Sequence, residues 1–177
     1  MRDDLKTEAI KIVRRSGSKS LNFRDLGALL GVKSSSVHYY FPTKSDLLEE
    51  ILRDYTKAFM IELGHRDQKS QSLHKSLDAL LSLFTDAKND DLICLCGALA
   101  AEANSLDLKV LAAVQAFFAT LEAWVAQKAK SEPRSISLSP EKFSRLFVSL
   151  LEGALVIDRA QQTNHRLEAV RTWIRSV

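Results

Sequence analysis

Between Asn22 and Lys44 the chain reads NFRDLGALLGVKSSSVHYYFPTK, and few local structures suit that order of residues. Phe23, Leu26 and Leu30 recur at i, i+3 and i+7, the apolar stripe of a short helix. Asn22 can cap this helix, with Asp25 three residues on completing a capping-box-like start. Gly31 can take the left-handed conformation that ends a helix sharply. A second helix is expected from about Ser34 to Phe41, with Ser34 or Ser35 as its cap, Val32 and Val37 inward, and Pro42 blocking continuation. Gly27 is small where two helices must cross closely. Two helices hinged at a glycine, with a small residue at the crossing, have the packing logic of a helix-turn-helix.

The second helix offers little to a core. Ser34, Ser35, Ser36, His38, Tyr39 and Tyr40 are hydrogen-bonding side chains, with Lys33 before them and Lys44 after. Short polar side chains let a helix approach base edges and phosphates in a major groove. The alternative on this stretch alone is an ordinary solvent-exposed helical hairpin. Charge placement favours the first reading. Residues 1–45 hold nine Lys/Arg against four acids, a balance of +5, so the rest of the chain carries 3 − 5 = −2. Positive charge thus gathers on the segment suspected of meeting phosphates.

GVKSSSVHYYFPTKSDLL resembles the recognition-helix signature of the TetR family of bacterial transcriptional repressors, through Gly31, Val32, Val37, Tyr39, Phe41, Lys44, Leu47 and Leu48. Gly27 stands where the family usually has Ala, and His38 where it usually has its first Tyr. The motif covers about the first 55 residues; the remainder matches in helix number and length. The resemblance implies an all-α fold of about nine helices, with a helix-turn-helix domain over residues 1–46. A connector helix over about 45–64 and a ligand-binding and dimerisation domain over 47–177 would complete it. It further implies a homodimeric repressor that binds a palindromic double-stranded DNA operator and answers to a small-molecule effector. Arg24, Ser34, Ser35, Ser36, His38 and Tyr39 would make contacts in and around the groove. Lys33, Tyr40 and Lys44 would mainly hold phosphates.

The flanking helices follow from periodicity. The first is expected over about Asp3–Ser16, with Leu5, Ala9, Ile12 and Val13 inward and its terminal charges suiting the helix dipole. The connector has Ser45 as its expected cap. After a polar linker, His65–Gln71, come helices over about 72–88, 92–104 and 108–130, then a Pro- and Ser-containing loop, Ser131–Ser139. The 92–104 segment is apolar on most sides and should be central. Ser139-Pro140 opens a helix to about Gln162, and the last spans about Asn164–Ser176 with Val177 adding to its apolar side. These two carry more apolar surface than a peripheral helix of a small monomer needs. Gly153 would admit a closely approaching helix. In the family the last two helices of two subunits form a four-helix interface. Here that face would comprise Phe143, Phe147, Leu150, Leu151, Gly153, Ala154, Leu167, Val170 and Ile174. A thoroughly buried monomer helix is the alternative.

Catalysis finds no footing. His38, His65, His74 and His165 have no nucleophile or carboxylate at a recognised spacing, and there is no glycine-rich phosphate loop. No cofactor or metal is expected, and the charged N-terminus is no signal peptide, so a cytoplasmic protein without a membrane span is expected. Cys94 and Cys96 point roughly 200° apart on a helix and cannot share a metal there. They read as small core residues or, more sharply, as a redox- or electrophile-sensing thiol near a helix start. The family's effector cavity would be lined here by Phe84, Cys94, Leu99, Phe117, Phe118, Leu121, Trp124 and Phe147, with Glu102 orienting a polar group; ordinary core is the alternative for each. A helical small-molecule carrier, or a non-specific nucleoid-type binder, is the rival reading of the whole chain.

Overall fold

Local signals set most of the helix boundaries. The computed structural model describes residues 1–67, 72–132 and 137–176, and among these it has nine α-helices and no strand. They are α1 (Arg2–Ser16), α2 (Phe23–Leu29), α3 (Ser34–Tyr40), α4 (Lys44–Arg66), α5 (Leu73–Asn89), α6 (Leu95–Ala100), α7 (Leu108–Ser131), α8 (Pro140–Gln161) and α9 (His165–Ile174). Short 3-10 turns lie at Ser18–Ser20 and Ala103–Ser105. Residues 68–71 of the first polar linker, 133–136 of the Pro/Ser loop and Val177 lie outside the described residues.

Asn22 caps α2 as its sequence suggests: its Oδ1 accepts from the Asp25 N–H at 2.9 Å. Ser139 caps α8, with Pro140 in the first turn. Two cap expectations change. Lys33, not a serine, is the cap residue of α3, and it makes no side-chain cap bond. Thr43 rather than Ser45 starts α4, through a reciprocal capping box. The Asp46 N–H donates to Thr43 Oγ1 at 3.1 Å, and the Thr43 N–H donates to Asp46 Oδ2 at 2.9 Å. Ser45 instead bonds Asp107.

The largest difference is at 92–104. The expected long central helix is the six-residue α6, preceded by non-helical Leu92–Cys94. Asp91 turns the chain at a positive φ of 56° and the Leu92 N–H closes onto the Ala87 carbonyl at 2.8 Å. An apolar run with no polar face carries no periodic mark of where its helix stops.

The chain forms two compact units that interleave in sequence. The first comprises Met1–Lys57 and Leu95–Phe117; the second comprises Ala58–Cys94 and the chain from Phe118 onward. In the first unit Leu5, Ala9 and Val13 of α1 are buried, as are Leu26, Val37, Phe41, Leu47, Ile51 and Leu99. Burying one such large side chain contributes about 1.5–3 kcal/mol. In the second unit α5 packs on α8 and α9. Phe143 and Phe147 of α8 lie near-parallel at 6.0 Å, and Trp173 of α9 lies 6.1–6.2 Å from both.

Asp158, wholly buried on α8, starts α9: its Oδ2 accepts from the Arg166 and Leu167 N–H groups, each at 2.9 Å. Burial works to raise its carboxyl, but those bonds outweigh it and hold the group below the usual carboxylate range. α7 is long and apolar enough to cross a membrane by length and composition. Its buried residues Val110, Val114, Phe117, Leu121, Val125 and Ala129 nevertheless follow the spacing of a core-facing stripe.

Candidate functional site

α3 owes its position to the crossing of α2. Gly31 takes φ 69°, a left-handed turn that suits glycine. A Cβ on Gly27 would lie 2.8 Å from the Val32 carbonyl oxygen, so the close approach of the two helices requires a glycine there. Val37 is buried, and Val32 only half-buried. Phe41 is buried as well, and it anchors the end of α3.

The far end of α3 is held by a residue the sequence does not advertise. Arg2 donates from Nη1 to the Tyr40 carbonyl at 3.1 Å and from Nε to Glu50 Oε1 at 3.0 Å. Its guanidinium lies 4.6 Å over the Phe41 ring. Arginine suits this role because its planar fork can bond and stack at once. Lys6 extends the cluster to Asp54 at 2.8 Å.

With its apolar side so fixed, α3 turns a polar face outward. Ser35, His38 and Tyr39 are exposed, Tyr39 to 83%, while Ser34, Ser36 and Tyr40 are half-buried. Lys33 and Arg24 are exposed beside them. His38 is partly committed: its ring lies edge-on to Phe23 at 4.8 Å, and Nδ1 is 3.3 Å from the Pro42 carbonyl oxygen. Lys44 is half-buried; burial holds its ammonium below the usual lysine range, opposed in part by the Glu102 carboxylate.

Glu102 is engaged within the first unit. It accepts from the Ser18 N–H at 2.9 Å and from the Ser18 hydroxyl, so it caps the 3-10 turn after α1. Two further ties join the α7 start to the α4 start within this unit: Ser45 to Asp107, and Lys109 to Asp46. The Lys109 ammonium, with the Thr43 hydroxyl, pushes the Asp46 carboxyl down to about 2.

The other expected cavity residues divide between the units. Phe84, Cys94, Leu121 and Phe147 are buried in the second, Phe118 and Trp124 half-buried there, and Leu99 and Phe117 buried in the first. None of them lines either of two clefts in the second unit. One of these clefts, about 530 Å³, is of mixed character and lined by residues including His65, His74 and Lys75. The other, about 420 Å³, is apolar and lies between α8 and α9. Among the described residues no group of three His, Cys, Asp or Glu is placed to hold a metal.

A carboxyl that the sequence hides among the polar residues of α8 stands out in the structure. Glu152 Oε1 is withdrawn from solvent and meets no hydrogen-bond partner among the described residues. Burial raises this carboxyl well above the usual carboxylate range, and the Cys94 thiol, which shares a hydrogen bond with it, raises it further. Cys94 and Cys96 are both free and buried.

The residues of the expected interface divide between buried and outward-facing positions. Phe143, Phe147, Leu151, Leu167 and Ile174 are buried in the chain's own packing of α5, α8 and α9, because periodicity marks an apolar side without saying what covers it. Ala154 and Val170, also buried, border the apolar cleft. Leu150 and Gly153 face outward, joined by Leu146, Ile157 and Trp173, with Leu146 60% exposed. A Cβ on Gly153 would meet nothing within 4 Å.

No protein-family model and no curated protein sequence matches the chain. Solved structures do. A TetR-family regulator from Agrobacterium tumefaciens superposes with a TM-score of 0.93 at 21% identity, over 99% of this chain and 96% of that one. A TetR transcriptional regulator from Legionella pneumophila gives 0.92 at 21%, over 99% and 96%. The regulatory protein TetR from Rhodobacter sphaeroides gives 0.88 at 19%, over 98% and 96%. Superposition at TM-scores up to 0.93 over nearly the full length of both chains leaves one conclusion: this chain has the all-α fold of the TetR-family transcriptional regulators.

Proposed function

We propose that the protein is a cytoplasmic, homodimeric transcriptional regulator, a repressor that binds a palindromic operator and releases it when a small effector binds. The observation that carries this is the outward face of α3. Ser35, His38 and Tyr39 are exposed on a helix whose apolar side is fixed by Gly27, Val37 and Phe41, and whose end is held by Arg2. A carrier protein has no use for such a face. Arg24, Ser34, Ser35, Ser36, His38 and Tyr39 would meet the groove; Lys33, Tyr40 and Lys44 would position phosphates.

Dimerisation is supported by what α8 leaves uncovered. Leu146, Leu150, Gly153 and Ile157 recur at alternating spacings of four, three and four, the seam of a packed helix pair, and Trp173 of α9 extends it. Two copies joined on this face would present two α3 helices to successive major grooves, about 34–36 Å apart. Effector binding would favour a state with the two helices wrongly spaced, which requires a different effector affinity in each state.

The test is selection of bound duplexes from a random-sequence pool at moderate salt. Enrichment of one palindrome is the expected result. Retention of the pool without enrichment would indicate non-specific binding, and no retention would leave the carrier reading in its place.

A further inference from the structure

Two buried carboxylates of the second unit are fully engaged. Asp158 caps α9, and Asp67 pairs with Lys128 and accepts from Ser76 at 2.6 Å. Glu152 breaks this pattern. Its Oε1 is shut away from solvent with no donor among the described residues, and the carboxyl shares a hydrogen bond with the Cys94 thiol, a weak partner. An orphaned buried acid costs stability and invites explanation by something that occupies it. Leucine or methionine would serve mere packing on α8 better.

We propose that Glu152, with Cys94 beside it, is the polar end of the effector site, and that the effector is an apolar molecule ending in a protonated amine. This rests on the effector-controlled reading given above. The amine N–H would donate to Oε1, the oxygen that lacks a donor. The arriving ammonium favours the carboxylate form that burial disfavours, and a charge-assisted hydrogen bond is strong away from water. An anionic ligand would meet a carboxyl and a thiol, neither of which carries a positive charge. The rest of the ligand should be apolar, because the buried side chains of this unit are aromatic and aliphatic, including Phe84, Leu121 and Phe147, with Phe59 edge-on to Phe84 at 6.2 Å. The sequence points to Glu102 for this role, yet Glu102 is spent on Ser18, and Glu152 Oε1 is the carboxyl oxygen left without a donor among the described residues.

The test uses the full chain without DNA and three probes on one phenylalkyl skeleton: 4-phenylbutylamine, 4-phenylbutanol and 4-phenylbutyrate, titrated by calorimetry. The amine should bind at least about tenfold more tightly than the alcohol, and the carboxylate most weakly. Glu152→Gln, an isosteric change that removes the acid, should cancel the amine's advantage and leave the alcohol within about threefold of its wild-type affinity. Equal binding of amine and alcohol by the wild-type protein overturns the proposal, as does an amine that fails to bind at millimolar concentration. So does an amine advantage that survives Glu152→Gln. Such a failure leaves DNA recognition untouched. An intact amine preference in a protein that selects no duplex would instead overturn the regulator reading alone.

Discussion

Lys44, the residue proposed to position a phosphate, is half-buried. Burial depresses its ammonium and the Glu102 carboxylate opposes that effect, while Glu102 is itself engaged by Ser18. A half-buried lysine with its partner already occupied gains from a phosphate. Lys44→Ala should therefore weaken DNA binding for all sequences alike and flatten the slope of log affinity against log salt by about one unit; salt titrations of mutant and wild type giving one slope would remove its phosphate role. Gly27 is the other residue on which the reading helix depends. Gly27→Ala forces a methyl to 2.8 Å from the Val32 carbonyl oxygen, which is backbone and cannot swing aside. We expect a loss of about 1–3 kcal/mol in denaturant unfolding, with DNA affinity falling more than that of a variant equally destabilised in the second unit.

At the scale of elements, what was legible in the sequence was local. Asn22, Gly31, Pro42 and the Ser139-Pro140 pair each act on their immediate backbone, and α2, α3 and α8 begin or end close to where these residues demand. What was illegible depended on partners distant in sequence. Arg2 bonds to Tyr40 and Glu50, and Glu102 to Ser18, contacts that no spacing rule announces. α6 is short because the chain turns at Asp91 and again after Ala100, and the run LICLCGALA has no polar face to show it. Arg2 gives the test at this scale. It touches the Tyr40 backbone rather than the outward face of α3, so Arg2→Ala should lower operator affinity several-fold while leaving the salt slope within experimental error. Arg2→Lys, which keeps the charge but not the fork, should recover only part of the affinity. A slope lowered by a full unit in Arg2→Ala would mean that Arg2 contacts phosphate itself.

For the whole molecule, the outward seam of α8 and α9 decides whether one chain or two does the work. The aromatic cluster of Phe143, Phe147 and Trp173 ties these helices together within one chain, leaving Leu146, Leu150 and Ile157 on the outward face where the proposed second copy would pack. Periodicity showed the excess of apolar residues but could not divide them between inner packing and outer seam. The paired change Leu150→Glu with Ile157→Glu should convert a dimer to a folded monomer in sedimentation velocity. It should also reduce affinity for a palindrome at least about hundredfold, since each half-site then binds without the benefit of the other. A dimer that survives both charges would place the interface elsewhere.

The central claim is that the exposed face of α3 reads sequence, and the most direct measurement is a ratio of affinities. Anisotropy titrations at one salt concentration would compare the palindrome selected from the random pool with the same duplex scrambled within both half-sites. A ratio of about 10³ or more is the predicted result, the range of specific over non-specific DNA binding. A ratio within about tenfold would mean that the protein holds phosphates without reading bases, and would contradict the account.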